Sequence, residues 1–182
     1  MANIKEQKIT LPEGVSASFE NDILTVKGPE GEVSRLFKVP LLVLNIEGNT
    51  ISLTTKRDGK RSKTLLNTWN AHIKNMVRGV TQGHEYELKI CSGHFPMSVS
   101  LKGNQLEVKN FLGEKVPRVL TLKEGAQVKV DGDKIYVKSV DIERAGQVAA
   151  DIEKLTRITN RDIRIFQDGI YIIKKSGREP FV

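Results

Sequence analysis

Short segments in which apolar and polar residues alternate recur along the chain, and this pattern predicts β-strands. In one of them, Leu24 and Val26 are expected to face away from Ile23, Thr25 and Lys27, because successive side chains of a strand point to opposite faces. Two-residue turn signals interrupt the alternation and predict β-hairpins. These turns are Asn21-Asp22, Gly48-Asn49, Gly103-Asn104 and Gly132-Asp133.

Two longer segments carry apolar residues at helical spacing, and each predicts one amphipathic helix. The first is SKTLLNTWNAHIKNMVRGV and the second is DIERAGQVAADIEKLTRI. Asp141 is expected to cap the start of the second helix, and the segment RGVTQG is expected to break the first helix near Gly79 to Gly83. The two apolar stripes are Leu65, Leu66, Trp69, Ile73, Met76, Val77 and Val80, and Ile142, Ala145, Val148, Ala149, Ile152 and Leu155.

The order of hairpins and helix occurs twice, which indicates an internal duplication. Shifted by 82 positions, VSASFENDILTVKGPEGEV lies on MSVSLKGNQLEVKNFLGEK without a gap and with seven identical residues. Shifted by 84 positions, NIEGNTISL lies on KVDGDKIYV with Gly48 on Gly132. The sequence therefore predicts an α+β fold of two duplicated domains, each an antiparallel β-sheet with one α-helix packed on one face.

The predicted division places the first repeat at residues 1–82, the second at 83–173 and a basic tail at 174–182. The second repeat is expected to contain one addition, a hairpin from Phe166 to Ile173 that turns at Asp168-Gly169. The duplication also predicts that the two domains share one strand order, with each helix on the same face of its sheet.

The charge of the chain indicates an anionic partner. Among 182 residues, 29 are Lys or Arg and 22 are Asp or Glu, which gives a net charge of +7. Nucleic acid is the first candidate and a membrane surface the second. No segment approaches the roughly 18 apolar residues that span a bilayer, and no apolar run of signal-peptide length begins the chain. These features favour a cytoplasmic protein without a membrane partner.

The sequence contains no recognisable catalytic or metal-binding motif. The three histidines lack metal-ligand spacing, and Cys91 is the single cysteine. Neither a phosphate-binding loop nor a Gly-x-Ser-x-Gly elbow is present. We therefore expect a protein that is not an enzyme and needs no cofactor or metal; an enzyme whose site is assembled from distant residues stays the alternative.

Three basic clusters are the candidate binding residues, and structured RNA is the partner they favour. Solvated loops are the alternative, but the first cluster has no matching acidic segment. Aromatic residues make up only 5% of the chain, fewer than a protein that stacks single-stranded bases would need. Phe111 and Leu112, within the second cluster, are expected to pack inward. The clusters are Lys56, Arg57, Lys60, Arg61 and Lys63; Lys109, Lys115 and Arg118; and Lys174, Lys175 and Arg178.

The segments HFPMSVS, NFLGEKVPRV and NRDIRIFQDGIYIIKK resemble the archaeal and eukaryotic branch of the sixth large-subunit ribosomal protein family in universal numbering. The last segment carries that branch's signature, Arg-x-Phe-x-Asp-Gly-aliphatic-Tyr. Neither an acidic halophilic surface nor long eukaryotic extensions are present, which favours an archaeal member. The signature residues are Arg164, Phe166, Asp168, Gly169, Ile170 and Tyr171.

This resemblance implies a structural component of the large ribosomal subunit that binds the large, 23S-type rRNA. The expected location is near the stalk base and the sarcin–ricin region, beside neighbouring large-subunit proteins, without an obligate homo-oligomer. The resemblance places rRNA contacts at the loop from Lys109 to Arg118 and at the tail from Lys174 to Val182, although the basic signature of bacterial members is missing. A non-ribosomal RNA-binding or assembly factor on the same fold is the competing interpretation.

The C-terminal tail is expected to be ordered by RNA rather than by its own domain. Ser176 and Gly177 allow the chain to bend, and the tail cations outnumber Glu179. Ordering such a segment costs about 1–2 kcal/mol per residue in backbone entropy, which contacts between its cations and RNA phosphates would offset. Phe181 would then pack against a base, a sugar or a neighbouring protein.

Overall fold

The computed structural model describes residues 6–38, 40–57 and 59–177, which form thirteen strands and two helices. The chain divides into two compact units, with the boundary between Gly83 and His84. The first unit contains β1 (Glu6–Thr10), β2 (Ser16–Glu20), β3 (Ile23–Gly28), β4 (Gly31–Leu36), β5 (Leu42–Glu47), β6 (Thr50–Thr55) and α1 (Lys60–Gln82). The second contains β7 (His84–Cys91), β8 (Ser98–Lys102), β9 (Gln105–Lys109), β10 (Arg118–Thr121), β11 (Gln127–Asp131), β12 (Lys134–Ser139), α2 (Ile142–Leu155) and β13 (Gly169–Lys174).

Apart from the additional strand β13, both units have the same strand order, which confirms the predicted duplication. The first unit has two antiparallel sheets, β1-β6-β5 and β2-β3-β4. The second has the matching sheets β13-β7-β12-β11 and β8-β9-β10, again antiparallel. The α+β class is therefore confirmed, with the strands of each unit divided between two sheets. The predicted boundaries at residues 82 and 173 stay predictions.

The four predicted hairpin turns are all confirmed. Asn21 and Asp22 join β2 to β3 with φ angles of 51° and 62°, the left-handed conformation that a two-residue turn between twisted strands requires. The other three turns join β5 to β6, β8 to β9 and β11 to β12. Turn chemistry is local, so the sequence is sufficient to specify these connections.

The apolar stripes of the two helices form the centres of the two cores. Trp69, Ile73 and Met76 of α1 are buried, and α1 contacts both sheets of the first unit. In α2, Val148, Ala149 and Ile152 are at most 1% exposed and pack among β-strand residues of the second unit. Burial of these side chains, rather than helix propensity, supplies most of the stability of such helices.

The first helix ends within the predicted segment RGVTQG, although α1 continues through Gly79 to Gln82 before it stops. Gly79 is buried, and the chain leaves the helix only at Gly83, whose N–H bonds to the Gly79 carbonyl at 2.9 Å. A glycine inside a helix costs about 1 kcal/mol relative to alanine. Packing of the last turn against β3 outweighs this cost, since the Val80 carbonyl accepts a hydrogen bond from Glu30 N–H at 3.0 Å.

The predicted hairpin from Phe166 to Ile173 is wrong. The second half of this segment is a strand, β13, but its partner is β7, which lies far earlier in the chain. Residues before Gly169 form turns rather than a strand, and both Ile165 N–H and Phe166 N–H bond to the Asp162 carbonyl. The Asp168-Gly169 pair marks the entry from a loop into a strand, because the Asp168 side chain is tied to a distant backbone segment.

One side chain in the last turn of α2, Glu153, and that of the residue following the helix, Thr156, accept hydrogen bonds from backbone N–H groups of β13. Ile170 N–H donates to Thr156 Oγ1 at 2.8 Å, and Ile172 N–H donates to Glu153 Oε1 at 3.1 Å. These donors belong to alternate residues of β13, so both point to the same side of the strand. The end of α2 is thereby fixed to β13 by two hydrogen bonds in addition to apolar packing.

Candidate nucleic-acid interface

The first basic cluster lies between the end of β6 and the first turn of α1. All five of its cations, from Lys56 to Lys63, are exposed. Within the described residues none of them forms an ion pair, while Asp58 lies outside the described part of the chain. The first turn of α1 contains no acidic residue, and its N-cap Gly59 offers no side-chain acceptor.

This arrangement accumulates positive charge that no described side chain of the protein pairs with. The N-terminus of a helix carries about half a positive charge from its unpaired N–H groups. Lys60, Arg61 and Lys63 lie on that same turn instead of the acidic residues that usually stabilise it. The cluster therefore presents both charges and backbone donors to a phosphate.

The second cluster surrounds the long connection between β9 and β10. Phe111, in a 3-10 turn at Phe111–Gly113, is only 1% exposed and packs in the core, as predicted, and Leu112 packs against that core. Lys115 is exposed and forms no ion pair within the described residues. Lys109 lies 3.8 Å from the carboxylate of Glu107.

Arg118 is engaged by its own domain. Its Nε and NH2 donate to the two carboxylate oxygens of Glu114 at 2.8 and 2.6 Å, and its NH1 donates to the Leu155 carbonyl at 2.8 Å. Its guanidinium also lies 4.3 Å from the ring centre of Phe111. The hydrogen bonds from Arg118 outweigh burial and hold the pKa of Glu114 below its ordinary value. Arg118 thus joins this loop to the end of α2, and its predicted RNA contact stays a prediction.

The third cluster begins at the end of β13. Lys174 is the last residue of that strand, and Lys175 is exposed. Ser176 Oγ lies 2.7 Å from Nδ1 of the buried His84, so the chain is held to its domain up to this residue. Arg178 and the predicted contact of Phe181 lie outside the described residues.

A cleft of about 1140 Å³ in the second unit was not anticipated from the sequence. It lies between the end of β7, the end of α2 and the segment that precedes β13. Ile163 and Ile165 line it and are 69% and 63% exposed. The predicted hairpin began only at Phe166, and no role was predicted for these two isoleucines. Their exposure on a turn segment beside the signature residues is the signal that identifies the cleft.

Asp168 fixes the wall of this cleft. Its side chain is 3% exposed, and its Oδ1 accepts hydrogen bonds from Gly93 N–H at 2.6 Å and His94 N–H at 2.9 Å. His94 Nδ1 lies 2.5 Å from Oδ2. Burial raises the pKa of Asp168, but the hydrogen bonds from His94 and Gly93 together outweigh it, and the pKa lies below its ordinary value. A carboxylate is therefore the form that this site stabilises.

The ring of Phe166 already contacts two side chains. The Phe166 ring centre lies 4.8 Å from that of His94, and the Arg161 guanidinium lies 4.8 Å from the Phe166 ring centre. Phe166 is therefore a packing residue of the wall rather than a free stacking platform.

Neither metal chemistry nor membrane insertion is indicated by the described residues. They include no group of three or more His, Cys, Asp or Glu side chains arranged to hold a metal ion. Neither α1 nor α2 is apolar enough over its length to be a membrane-spanning helix.

Comparison with known proteins identifies relatives over nearly the whole chain. The family described as ribosomal protein L6 matches residues 11–83 and 95–169. The large ribosomal subunit protein uL6 of Nanoarchaeum equitans is 46% identical, covering 96% of this chain and 95% of its own. The proteins of the same name from Picrophilus torridus and Haloarcula marismortui are 42% and 40% identical, covering 96% and 94% of this chain and 97% and 96% of their own. These relatives are all archaeal, in agreement with the predicted branch.

Proposed function

Because this chain belongs to the ribosomal protein L6 family, whose members are structural components rather than enzymes, we propose that it binds the 23S-type rRNA of the large ribosomal subunit near the stalk base and the sarcin–ricin region. The expectation that the chain is not an enzyme is confirmed by this membership. The proposed contacts are made by the three basic clusters. Neighbouring large-subunit proteins at the stalk base are the proposed protein partners.

The observation that carries this proposal is the exposed cation cluster at the start of α1. Lys60, Arg61 and Lys63 have no ion-pair partner within the described residues, and they adjoin the positive end of a helix. A surface of this kind neutralises phosphates and releases their counterions, which favours binding to RNA irrespective of its sequence. Base-specific contacts are not required for a protein that recognises a folded rRNA.

Retention on large subunits tests the proposal against the alternative of an assembly factor. Tagged protein is expressed in archaeal cells, and mature large subunits are purified through a high-salt wash. We expect the protein to remain in stoichiometric amount, and its position in density for the intact subunit to lie at the stalk base. Loss during the wash, or a position elsewhere on the subunit, would contradict the proposal.

The variant Lys60→Ala/Arg61→Ala tests the role of the first cluster in the same experiment. Lys74→Ala/Arg78→Ala is the matched control, because it removes two exposed cations farther along the same helix. We expect the first variant to be lost at a lower salt concentration than the control. Equal retention of the two variants would show that the cluster is only a solvated surface.

A further inference from the structure

We propose that the cleft of the second unit binds an unpaired RNA base, with Tyr171 as the stacking surface, Ile163 and Ile165 as an apolar wall, and Lys154 and Arg157 as contacts for the flanking phosphates. This inference rests on the proposed rRNA binding. It concerns a surface that none of the three basic clusters includes.

The cleft has the dimensions and apolar character that an extruded base needs. Its volume is about 1140 Å³, larger than one nucleotide and open to solvent. Tyr171 is 41% exposed and lines it together with the two isoleucines. Apolar side chains and an aromatic ring are the usual surroundings of bases that have left a stack.

The Tyr171 ring is already held in place. Its hydroxyl donates a hydrogen bond to the Asp168 carbonyl at 3.4 Å. The backbone of Gly169 passes so close that a Cβ there would lie 3.1 Å from Tyr171 Cζ. A fixed ring loses little conformational freedom when a base stacks on it, which favours binding.

The wall opposite the ring is also ordered before any ligand binds. Asp162 accepts backbone hydrogen bonds from Ile165 and Phe166 through its carbonyl, and its carboxylate pairs with Arg164 at 2.7 Å. Exposure of Ile163 and Ile165 on such a segment is costly, because apolar area in contact with water is unfavourable. A ligand that covers both side chains removes this cost.

The exposed charged side chains that line the cleft are the cations Lys154 and Arg157, whereas Glu153 is half-buried and Asp168 is buried. The carboxylates of Glu153 and Asp168 already accept backbone hydrogen bonds from their own domain. Lys154 and Arg157 line the cleft and form no ion pair within the described residues. Two free cations beside an apolar wall suit a nucleotide better than an uncharged protein segment, which would leave them without a counter-charge.

Site-specific photo-cross-linking distinguishes RNA from protein as the occupant. A benzophenone amino acid replaces Ile163 in the full chain, and the protein is incorporated into large subunits. The same residue at Leu101, an exposed apolar position on β8, is the matched control. We expect an adduct from position 163 that ribonuclease removes and that maps to one rRNA nucleotide. An adduct to a protein, or no adduct in subunits that contain the variant, would overturn the inference while leaving the ribosomal assignment intact.

Binding to full-length 23S-type rRNA transcript provides a second test. Tyr171→Leu is expected to weaken binding about 5- to 100-fold, because stacking of one base on an aromatic ring contributes that much, whereas Tyr171→Phe keeps the ring and should restore binding. Tyr136→Leu, at a tyrosine outside the cleft, is the control.

Ile163→Glu covers the case in which Tyr171→Leu fails to fold, because Ile163 is 69% exposed and its replacement leaves the core intact. We expect this variant to melt at the temperature of the original protein and to bind the transcript at least several-fold more weakly. Unchanged binding would overturn the inference. If the original protein does not bind the transcript or enter subunits, the proposed function itself fails.

Discussion

At the scale of single residues, Asp168 shows how a motif acquires its physical meaning only in three dimensions. In the sequence, Asp168-Gly169 has the composition of a hairpin turn. In the structure, the Asp168 side chain instead accepts the N–H groups of Gly93 and His94, more than seventy residues earlier. A hydrogen bond between such distant residues produces no periodic pattern in the sequence. Asp168 could therefore be identified as a signature residue, but its partners could not be predicted.

Asp168→Asn is expected to lower the free energy of unfolding at pH 7 by about 1–3 kcal/mol, because it removes the charged acceptor from the N–H groups of Gly93 and His94. Asp133→Asn is the control, since Asp133 is an exposed turn residue for which asparagine is equally suitable. Urea unfolding monitored by circular dichroism measures both. A loss no larger than that of the control would contradict the role assigned to Asp168.

The same pair of proteins should show a defined pH dependence. The pKa of Asp168 is lowered in the folded state, so its contribution to stability is complete above the ordinary carboxyl pKa of about 3.9 and is lost as pH falls through the folded value. The stability difference between the original protein and Asp168→Asn should therefore narrow as the pH falls below about 3.9. A difference that widens below pH 4 would reverse the assigned sign.

At the scale of secondary-structure elements, local chemistry was sufficient wherever an element is decided by its own residues. The four turns and the Asp141 cap, whose side chain accepts from Glu143 N–H at 2.9 Å, follow from short sequence signals. The extent of α1 and the pairing of β13 depend on contacts between distant residues. For this reason the final hairpin was predicted incorrectly, and the exact end of α1 within RGVTQG was not predicted.

The contact between β3 and α1 is close enough to exclude any side chain at Gly28. A Cβ there would lie 2.7 Å from the Val80 carbonyl oxygen and 2.9 Å from Val80 Cβ. We expect Gly28→Ala to destabilise the protein by about 1–3 kcal/mol, the usual effect of overpacking. Gly93→Ala is the control, because the nearest atom to its Cβ would be 3.9 Å away. Thermal unfolding of the two variants gives the comparison, and similar melting temperatures would show that the helix can shift.

At the scale of the whole molecule, the cations of the first cluster and Lys109, Lys115 and Lys175 are exposed, whereas Lys174 is half-buried and Arg118 is held by Glu114 and Leu155. Their contacts with RNA stay a prediction. The cleft was missed because its walls come from segments far apart in sequence. The charge of a segment can be counted from its sequence, whereas the presence of a cleft depends on how distant segments pack in the folded chain.

The electrostatic character of binding predicts a strong dependence on salt. The logarithm of affinity for rRNA should fall by about 0.9 per logarithmic unit of salt for each phosphate neutralised, if duplex behaviour applies. Lys60→Ala/Arg61→Ala should reduce this slope by about two such contributions, and Lys74→Ala/Arg78→Ala should not. Filter binding across a series of salt concentrations measures the slopes, and a nearly flat dependence for the original protein would refute the mechanism.

Removal of the residues after Gly177 tests the proposed docking of the tail on RNA. Ser176 is kept because its hydroxyl contacts the buried His84. The shortened protein should retain its melting temperature and bind the rRNA transcript more weakly, since Arg178 can then no longer contact a phosphate. Equal binding would contradict RNA docking, and a large drop in melting temperature would show that the tail belongs to the core.

The two hydrogen bonds from α2 to β13 have a consequence for the protein before it meets RNA. A strand with unpaired N–H groups offers a template on which other chains can add as further strands and aggregate. Thr156 and Glu153 occupy the donors of Ile170 and Ile172 that such a chain would use. In a newly synthesised copy that is not yet bound to a subunit, these two N–H groups are therefore already hydrogen-bonded within the protein. A strand of another molecule cannot pair with them, so β13 does not initiate aggregation through these donors.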